Sequence, residues 1–281
     1  MRSHTQSFLA GHPGQAIFAA PPVAGPGRPP RRRLLVSCAE RILAWFRKSQ
    51  QIRPPAGVVK VNLGSGLSVA PGWINVDGSL KTAFARLPRL ALRLIYPLLS
   101  APTYPFEKFA QTLHGNVFVT HNLKYGVPLP ANSAEFIFSS HVIHHLYKDQ
   151  ARSLLTDAYR VLKPGGTIRI AVPDLEYIVG LYLQGRREEA IENYLFYPSA
   201  SRSELSTRRY QYDFTLLKKL LESVGFDRVR RCKYQQGDTP DVEQLDRLPG
   251  ETLFLEAKKP NWRKGYFVLD DDVQQVRLSK T

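Results

Sequence analysis

Two glycines and an acid in the segment VVKVNLGSGLSVAPGWINVDG have the types and spacing of a ligand-binding turn. A β-branched run ends at Gly64, Ser65 and Gly66, and a second short apolar run ends at Asp77. Glycines after a buried strand let a ligand approach the backbone amides, and an acid at the end of the next strand can accept hydrogen bonds from two ribose hydroxyls. The pattern predicts a nucleotide-binding half-fold. A purely structural turn for the glycines and a solvated loop acid for Asp77 stay as alternatives.

The spacing does not fit a dinucleotide fingerprint. The third glycine of that fingerprint would stand where the chain has Val69, and Asp77 follows Gly66 by eleven residues (77 − 66), whereas the dinucleotide pattern needs about 20. The sequence therefore predicts a nucleotide site without a complete pyrophosphate cradle, and a nicotinamide-dependent dehydrogenase is only the third interpretation.

A histidine-rich stretch, SSHVIHHL, follows the fourth predicted strand, at the end where substrates bind in such sheets. His141 is the candidate general base, since imidazole can take a proton from oxygen or nitrogen. Metal ligands can show the spacing of His141, His144 and His145. No carboxylate or cysteine accompanies these histidines, however, so we predict no metal site. For His145, a packed histidine at a helix start is the preferred interpretation.

The elements that position these residues alternate regularly from residue 58 onward. Helix 148–162 is expected to end at a glycine cap in KPGG, and helix 213–224 to begin at Asp213 and end at Gly225. Strands are predicted at 58–63, 73–77, 116–123, 135–140, 167–174, 227–234 and 251–259. This order predicts an α/β, Rossmann-like fold with a mostly parallel seven-stranded sheet, helices on both faces and an antiparallel last strand.

The positive charge is concentrated at the N-terminus. Of the net charge of +15, residues 1–53 carry +8, from nine Arg or Lys against the single acid Glu40. Residues 1–32, rich in Gly, Pro and Ala, predict a disordered basic segment, and residues 33–54 a basic amphipathic helix and linker. We expect residues 33–50 to contact an anionic membrane weakly; a helix packed on the domain or on a partner is the alternative.

An insertion separates the second and third predicted strands at residues 80–115. It carries apolar residues at Phe84, Leu87, Leu90 or Ala91, Leu94 and Leu98. Because the insertion starts at the carboxyl end of a strand, we expect a lid over the ligand crevice. A second membrane-seeking element is the alternative.

The cysteine content and the lack of a signal-peptide pattern bear on the cellular compartment that we expect. Hydrophobic residues make up 43% of the chain, enough for a core, and the two cysteines, Cys38 and Cys232, have no neighbouring ligand set. These features predict neither a disulfide framework nor a zinc site. No signal-peptide pattern and no apolar run of about 18 residues is present, so we expect a cytoplasmic protein that also associates with the inner face of the membrane.

Four motifs together resemble class I S-adenosylmethionine-dependent methyltransferases: VNLGSG…GWINVD, PLPANSAEFIFSSHVIHHL, AYRVLKPGGTIRIAVPDL and YDFTLLKKLLESVGF. They are most similar to the type 11 group, whose bacterial members are often linked to surface-polysaccharide synthesis. RVLKPGG followed by a strand is the most specific motif. The resemblance covers residues 55–260, which we take as one methyltransferase domain followed by a tail, residues 261–281.

The resemblance implies S-adenosylmethionine as the cofactor. Its methionine part would be held by Leu63, Gly64, Ser65 and Gly66, its ribose by Asp77, and its adenine by Asn122 and Leu123; Ser139 would lie where cofactor and acceptor meet. Two positions depart from the family pattern, because Asn122 replaces an Asp and His144 replaces a Glu. Asn can still accept a hydrogen bond but supplies no charge.

The predicted function is methyl transfer to an oxygen or nitrogen of a small-molecule or glycan acceptor. The alternative is a non-catalytic binding or scaffold protein on a degenerate methyltransferase fold, which the two departures motivate. Nucleic acid is not an expected partner, because no aromatic-interleaved basic motif follows the fourth strand. The oligomeric state stays open.

Overall fold

In the residues that it describes, the computed structural model contains a single sheet with helices packed around it. The predicted segment 1–32, part of the predicted helix 33–50 and residues 262–281 lie outside the part of the chain that the structure describes. In that part, no helix is both long and apolar enough to cross a membrane. The described residues are Cys38, Arg41, Ile42, 45–99, 105–195 and 207–261.

Seven strands form the sheet in the order β3-β2-β1-β4-β5-β7-β6. Strands β1 to β5 pair in parallel, and β7 inserts antiparallel between β5 and β6. The predicted fold class is therefore confirmed, including the antiparallel last strand. The strands are β1 Lys60–Leu63, β2 Trp73–Asp77, β3 Val117–Thr120, β4 Ala134–Ser140, β5 Leu162–Pro173, β6 Asp227–Cys232 and β7 Thr252–Lys258.

Seven α-helices with both ends in the described part of the chain connect or flank the strands; Cys38, Arg41, Ile42, Trp45 and Phe46 are also helical. Short 3-10 turns also lie at Leu123–Tyr125 and Ile143–His145, and a π-helix at Glu189–Leu195. The α-helices are α1 Leu80–Ala83, α2 Arg89–Leu99, α3 Phe106–His114, α4 Lys148–Val161, α5 Leu175–Leu183, α6 Phe214–Val224 and α7 Val242–Leu245.

Both ends of helix α6 lie where the sequence predicts them, whereas helix α4 does not end at the predicted glycine cap. The Asp213 side chain accepts the Leu216 N–H at 2.7 Å, and Gly225 ends α6 with a φ of 111°. Helix α4 stops at Val161 without a glycine cap, because Leu162 is already extended and begins β5. The residue before Pro164 is disfavoured in a helix, so KPGG starts the strand.

One face of the sheet is covered by α4 and α6. Val61, Ile137 and Ile170 from three strands pack in the same buried cluster as Leu154 of α4 and Leu220 of α6. Side chains alternate along strands, so the neighbouring strand residues point to the opposite face. This face forms the main core and fixes the strand ends at which the site lies.

Loops cover the middle of the second face. Trp73 and Phe138 pack edge to face at 6.2 Å, and Leu245 of α7 belongs to the same cluster. The chain passes from β1 to β2 through a turn that contains no helix. Asn62 holds this turn, because its Nδ2 donates to the Ser68 carbonyl at 2.9 Å. Asp241 ties α7 to this face by accepting the Trp73 Nε1–H at 2.8 Å.

A buried arginine anchors the long loop between β6 and β7. Arg169 donates from Nε and Nη2 to the two carboxylate oxygens of Asp246, at 3.0 and 2.6 Å, and from Nη1 to Glu256 at 3.2 Å. It also donates to the carbonyls of Lys233 and Gln236. Because all three charged side chains are buried, these contacts fix the loop relative to β5.

The insertion between β2 and β3 has a small core of its own. Leu92 of α2 packs with Phe109 of α3, and Leu67, next to the glycine turn, packs against this cluster. Of the predicted apolar residues, Phe84 joins the cluster, but Leu90 and Leu94 are each 75% exposed. Helix α2 instead buries the side that carries Leu92, because only that side faces α3.

Candidate functional site

The carboxyl ends of β1, β2, β3 and β4 bring the predicted site residues to one edge of the sheet. Leu63 pairs in register with Val76 on one side and with Ser139 on the other. Asp77 pairs with Thr120, which places residues 121–123 beside it. Residues predicted from separate motifs are therefore neighbours at a single edge.

The glycine turn has one packed and one open position. Gly64 has a φ of 66°, and a Cβ there would lie 2.2 Å from Cγ2 of Val142. Its N–H donates to the Val76 carbonyl at 2.7 Å. Gly66 has a φ of 54° and no atom within 4 Å of the place where its Cβ would be. Gly64 is thus required by packing, whereas Gly66 leaves space in which a ligand can approach the backbone.

Asp77 is built into the turn. Its Oδ2 accepts the Gly66 N–H at 2.8 Å, and its Oδ1 accepts the Ser79 N–H at 2.7 Å. The residue is only 9% exposed, so it is not the solvated loop acid of the alternative interpretation. Each carboxylate oxygen retains a further lone pair, so Asp77 can also accept ribose hydroxyls.

The residues after β3 form a polar turn. The Asn122 side-chain carbonyl accepts the Lys124 N–H at 3.1 Å, whereas the Leu123 side chain packs in the main core. Before them, Nδ1 of His121 donates to the Arg47 carbonyl at 3.1 Å, and its Nε2 is enclosed by protein atoms. Burial lowers the pKa of His121, so its imidazole stays neutral.

His141 lies directly after β4 in the left-handed region, with a φ of 55°. Its N–H donates to the Ala171 carbonyl at 2.8 Å, and its Nε2 lies 3.4 Å from Oγ1 of Thr252. The His144 ring is 5.7 Å from the His141 ring and 3.9 Å from the His145 ring. Within the described residues, no group of three or more His, Cys, Asp or Glu residues could hold a metal ion.

Burial is the main cause of low pKa values in this histidine cluster. It lowers the pKa of His141 to about 3 and that of His145 to about 4, and it holds the pKa of the enclosed His144 well below its usual value. Positive charges from Arg247, Arg208 and the neighbouring histidines act in the same direction. A neutral imidazole with so low a pKa is a weak base, so His141 needs a negative charge beside it to take a proton.

Unpaired polar atoms are concentrated at this edge. Buried polar atoms normally have hydrogen-bond partners, so these enclosed atoms are exceptions within the described part of the chain. Sequence reasoning missed several of these residues, although Ser79 and His121 lie within two residues of predicted strand ends. Nine of the eleven such atoms in the described part of the chain belong to Ser79, His121, Ser139, Ser140, His144, His145, Gln211, Tyr212 and Arg247.

Part of this edge matches a known family. A family model described as a methyltransferase domain matches residues 103–170. The match spans 68 of the 281 residues and includes Asn122, Ser139 and His141, while the glycine turn and Asp77 lie before it. It supports a methyltransferase of the S-adenosylmethionine-dependent class and S-adenosylmethionine as the cofactor.

Solved methyltransferase structures resemble the chain at low identity. One from Thermotoga maritima, described as a possible histamine N-methyltransferase, is 17% identical, with 81% of this chain and 93% of that chain covered and a TM-score of 0.42. A methyltransferase from Archaeoglobus fulgidus is 16% identical, with 81% and 94% covered and a TM-score of 0.40. Human N-acetylserotonin methyltransferase is 16% identical, with 82% and 56% covered and a TM-score of 0.40. The comparison with curated proteins gives no match.

The histidine cluster predicts that acid destabilises the fold. The native histidines have pKa values below the ordinary 6.5, so below that pH the unfolded chain binds more protons than the native chain. Between pH 7.5 and 5.5, the free energy of unfolding should fall by about 1.4 kcal/mol for each histidine that stays neutral in the native state. Urea unfolding at the two pH values measures this fall.

A variant separates the histidine contribution from the rest of the pH dependence. His144→Gln removes one such group and should make the fall smaller by about one histidine's share. Equal free energies of unfolding at the two pH values for the unaltered protein would contradict the buried, neutral cluster.

Proposed function

We propose that the chain is an S-adenosylmethionine-dependent methyltransferase that acts on an oxygen or nitrogen of a small-molecule or glycan acceptor. The observation that carries this proposal is the open glycine turn at Gly66, which the buried Asp77 holds beside the end of β4. The methyltransferase-domain match over residues 103–170 supports the same assignment from independent residues.

The residues at the edge fit the cofactor. Leu63 to Gly66 would bind its methionine part through the backbone, beside the open space at Gly66, and Asp77 would bind its ribose. On the adenine side, Asn122 can accept a hydrogen bond but supplies no charge.

The acceptor would lie at the end of β4, beside Ser139 and His141. When bound, S-adenosylmethionine would supply the methyl group to an acceptor lone pair and would leave as S-adenosylhomocysteine, and the acceptor proton would pass to a base or to water. The protein contributes orientation, and His141 can take the proton only if the bound acceptor favours its charged form.

A scaffold function stays the alternative proposal. Asn122 and His144 depart from the family pattern, and the Asn122 side chain is engaged in capping its own turn. A protein that binds S-adenosylhomocysteine but never transfers a methyl group to fractionated cell-envelope extracts would favour this alternative over catalysis.

We further propose that the protein works at the inner face of a membrane, on a glycan of surface-polysaccharide synthesis. Trp45 and Phe46 are 58% and 72% exposed and pack edge to face at 4.9 Å, with Lys48 over the Trp45 ring. An exposed aromatic pair among basic residues suits the interface of an anionic bilayer. Arg47 contacts the end of β3, so this surface would face the membrane close to the cofactor side.

Asp77→Ala should weaken binding of S-adenosylhomocysteine at least tenfold. Loss of hydrogen bonds to two ribose hydroxyls and of the anchor for the Gly66 N–H should cost about 1.5–3 kcal/mol of binding free energy. Titration calorimetry measures the affinity, and urea unfolding shows whether the variant is folded. Asp149→Ala, at an exposed acid in the first turn of α4, is the matched control and should bind like the unaltered protein. Unchanged affinity in folded Asp77→Ala would refute the ribose assignment.

The membrane proposal predicts salt-sensitive co-sedimentation with anionic vesicles. The full chain should bind at low salt and be released as the salt concentration rises, because screening weakens attraction between the basic residues and the surface. The double variant Trp45→Ser, Phe46→Ser should bind much less. The control Tyr182→Ser, Leu183→Ser removes an exposed apolar pair from α5 and should bind normally. If the unaltered chain stays in the supernatant, the membrane proposal is wrong.

A further inference from the structure

Helix α2 of the insertion presents two leucines to solvent. Leu90 and Leu94 lie one turn apart and are each 75% exposed, whereas Leu92, on the other side of the helix, is fully buried against α3. Because residues i and i+4 lie on the same face of a helix, the two exposed leucines form one apolar surface. Packing of the insertion therefore leaves this face of α2 open to solvent.

The surroundings of this face are basic. Residues 78–106 contain no Asp or Glu. The basic residues of this segment are Lys81, Arg86, Arg89 and Arg93. Arg89 forms an ion pair with Glu107, the first acid after the segment, whereas Arg86 and Arg93 are exposed to solvent. After the pairing of Arg89, the segment still carries an excess of positive charge.

Arg93 lies at the border of the apolar face. It follows Leu90 by three residues, so both side chains are on the same side of the helix. Its guanidinium lies over the Phe106 ring, 5.4 Å from the ring centroid. A positive charge is therefore held next to the exposed leucines.

The combination of exposed leucines and arginines favours an anionic lipid bilayer over a second copy of the chain. In a symmetric dimer built on this face, the face would meet itself and bring the like charges of Arg86 and Arg93 from both copies together. At a bilayer, the leucines enter the boundary of the apolar layer, while the long arginine side chains reach the lipid phosphates.

The insertion contacts both the glycine turn and the end of β3. Leu67, next to the glycine turn, packs against the cluster of the insertion. Oγ1 of Thr82 donates to Oγ1 of Thr120 at 3.0 Å, and Nη1 of Arg47 donates to the Thr120 carbonyl at 3.5 Å. The insertion and the segment of Trp45 and Phe46 therefore meet at the last residue of β3.

We propose that the exposed face of α2, which is formed by Leu90 and Leu94 beside Arg86 and Arg93, binds an anionic lipid bilayer. The location at a membrane rests on the proposed function, whereas the contact face rests on α2 alone. Because the insertion packs beside the glycine turn, this contact would orient the proposed cofactor site relative to the lipid surface.

The test is co-sedimentation of the full chain with vesicles of equal parts phosphatidylglycerol and phosphatidylcholine, compared with phosphatidylcholine alone. The unaltered chain should bind the anionic vesicles more strongly. The double variant Leu90→Ser, Leu94→Ser should lower the partition coefficient about tenfold, because two leucine side chains no longer enter the bilayer. The control Tyr182→Ser, Leu183→Ser changes an exposed apolar pair of α5 and should bind like the unaltered chain.

A charge variant and the molecular mass test the choice of a bilayer. Arg86→Glu should weaken binding to the anionic vesicles, and Arg86→Lys should retain it, because the attraction depends on charge. Light scattering measures the mass without lipid. A dimer that Leu90→Ser, Leu94→Ser converts to monomers would show that a second copy covers the face and would overturn the inference.

Two further measurements separate this inference from the proposed function. Leu90→Ser, Leu94→Ser should bind S-adenosylhomocysteine within about twofold of the unaltered chain in calorimetry, and urea unfolding shows that it is folded. If vesicle binding is lost in Trp45→Ser, Phe46→Ser but kept in the leucine variant, the inference is wrong and the proposed function stands. Vesicle binding that depends on Leu90 and Leu94 without S-adenosylhomocysteine binding supports the inference and overturns the methyltransferase proposal.

Discussion

The candidate site depends on the two hydrogen bonds that the Asp77 carboxylate accepts from the backbone of Gly66 and Ser79. They join the turn after β1 to the end of β2 and to the start of the insertion. With the turn held, Gly64 packs against Val142 and Gly66 stays open. Because Val142 follows His141, the same constraint connects the glycine turn to the histidine cluster at the end of β4. One buried carboxylate thus shapes the turn on which the proposed cofactor site depends.

A second constraint acts through the sheet from the opposite face. On this face the ion pairs of Arg169 with Asp246 and Glu256 hold the loop between β6 and β7, in addition to the apolar cluster that includes Trp73, Phe138 and Leu245. Removing one member of such a group would leave a buried charge unpaired, so the network specifies one loop position strongly.

Much of the fold can be predicted from short segments of the sequence, because the residues that end a strand are adjacent in the chain. β-branched runs that stop at Gly64 or at Asp77 predict both a strand and the edge at which it ends, and parallel strands bring those ends together. The Asp213 and Gly225 ends of α6 were predicted for the same reason. The predicted glycine cap at KPGG was wrong. Pro164 disfavours a helical conformation of the residue before it, so this segment starts a strand instead of ending a helix.

Contacts between residues that lie far apart in the chain could not be predicted from the sequence. Arg169 meets Asp246 across 77 positions, and nothing in the local pattern around either residue indicates this ion pair. Leu90 and Leu94 have helical spacing with the other apolar residues of the insertion, but which side of α2 is buried depends on where α3 packs. The Asn at position 122 is visible in the sequence, whereas the contact between His121 and Arg47 joins residues 74 positions apart.

Hydrogen exchange with and without S-adenosylhomocysteine tests most directly whether the Asp77-held turn is the cofactor site. Exchange should slow in peptides that cover residues 63–80 and 121–126, where the backbone would contact the ligand or be tightened by it. Helix α6, on the far side of the main core, serves as the internal reference and should change little. Unaltered exchange in both of these segments at saturating ligand, or slowing only at other positions, would contradict the account.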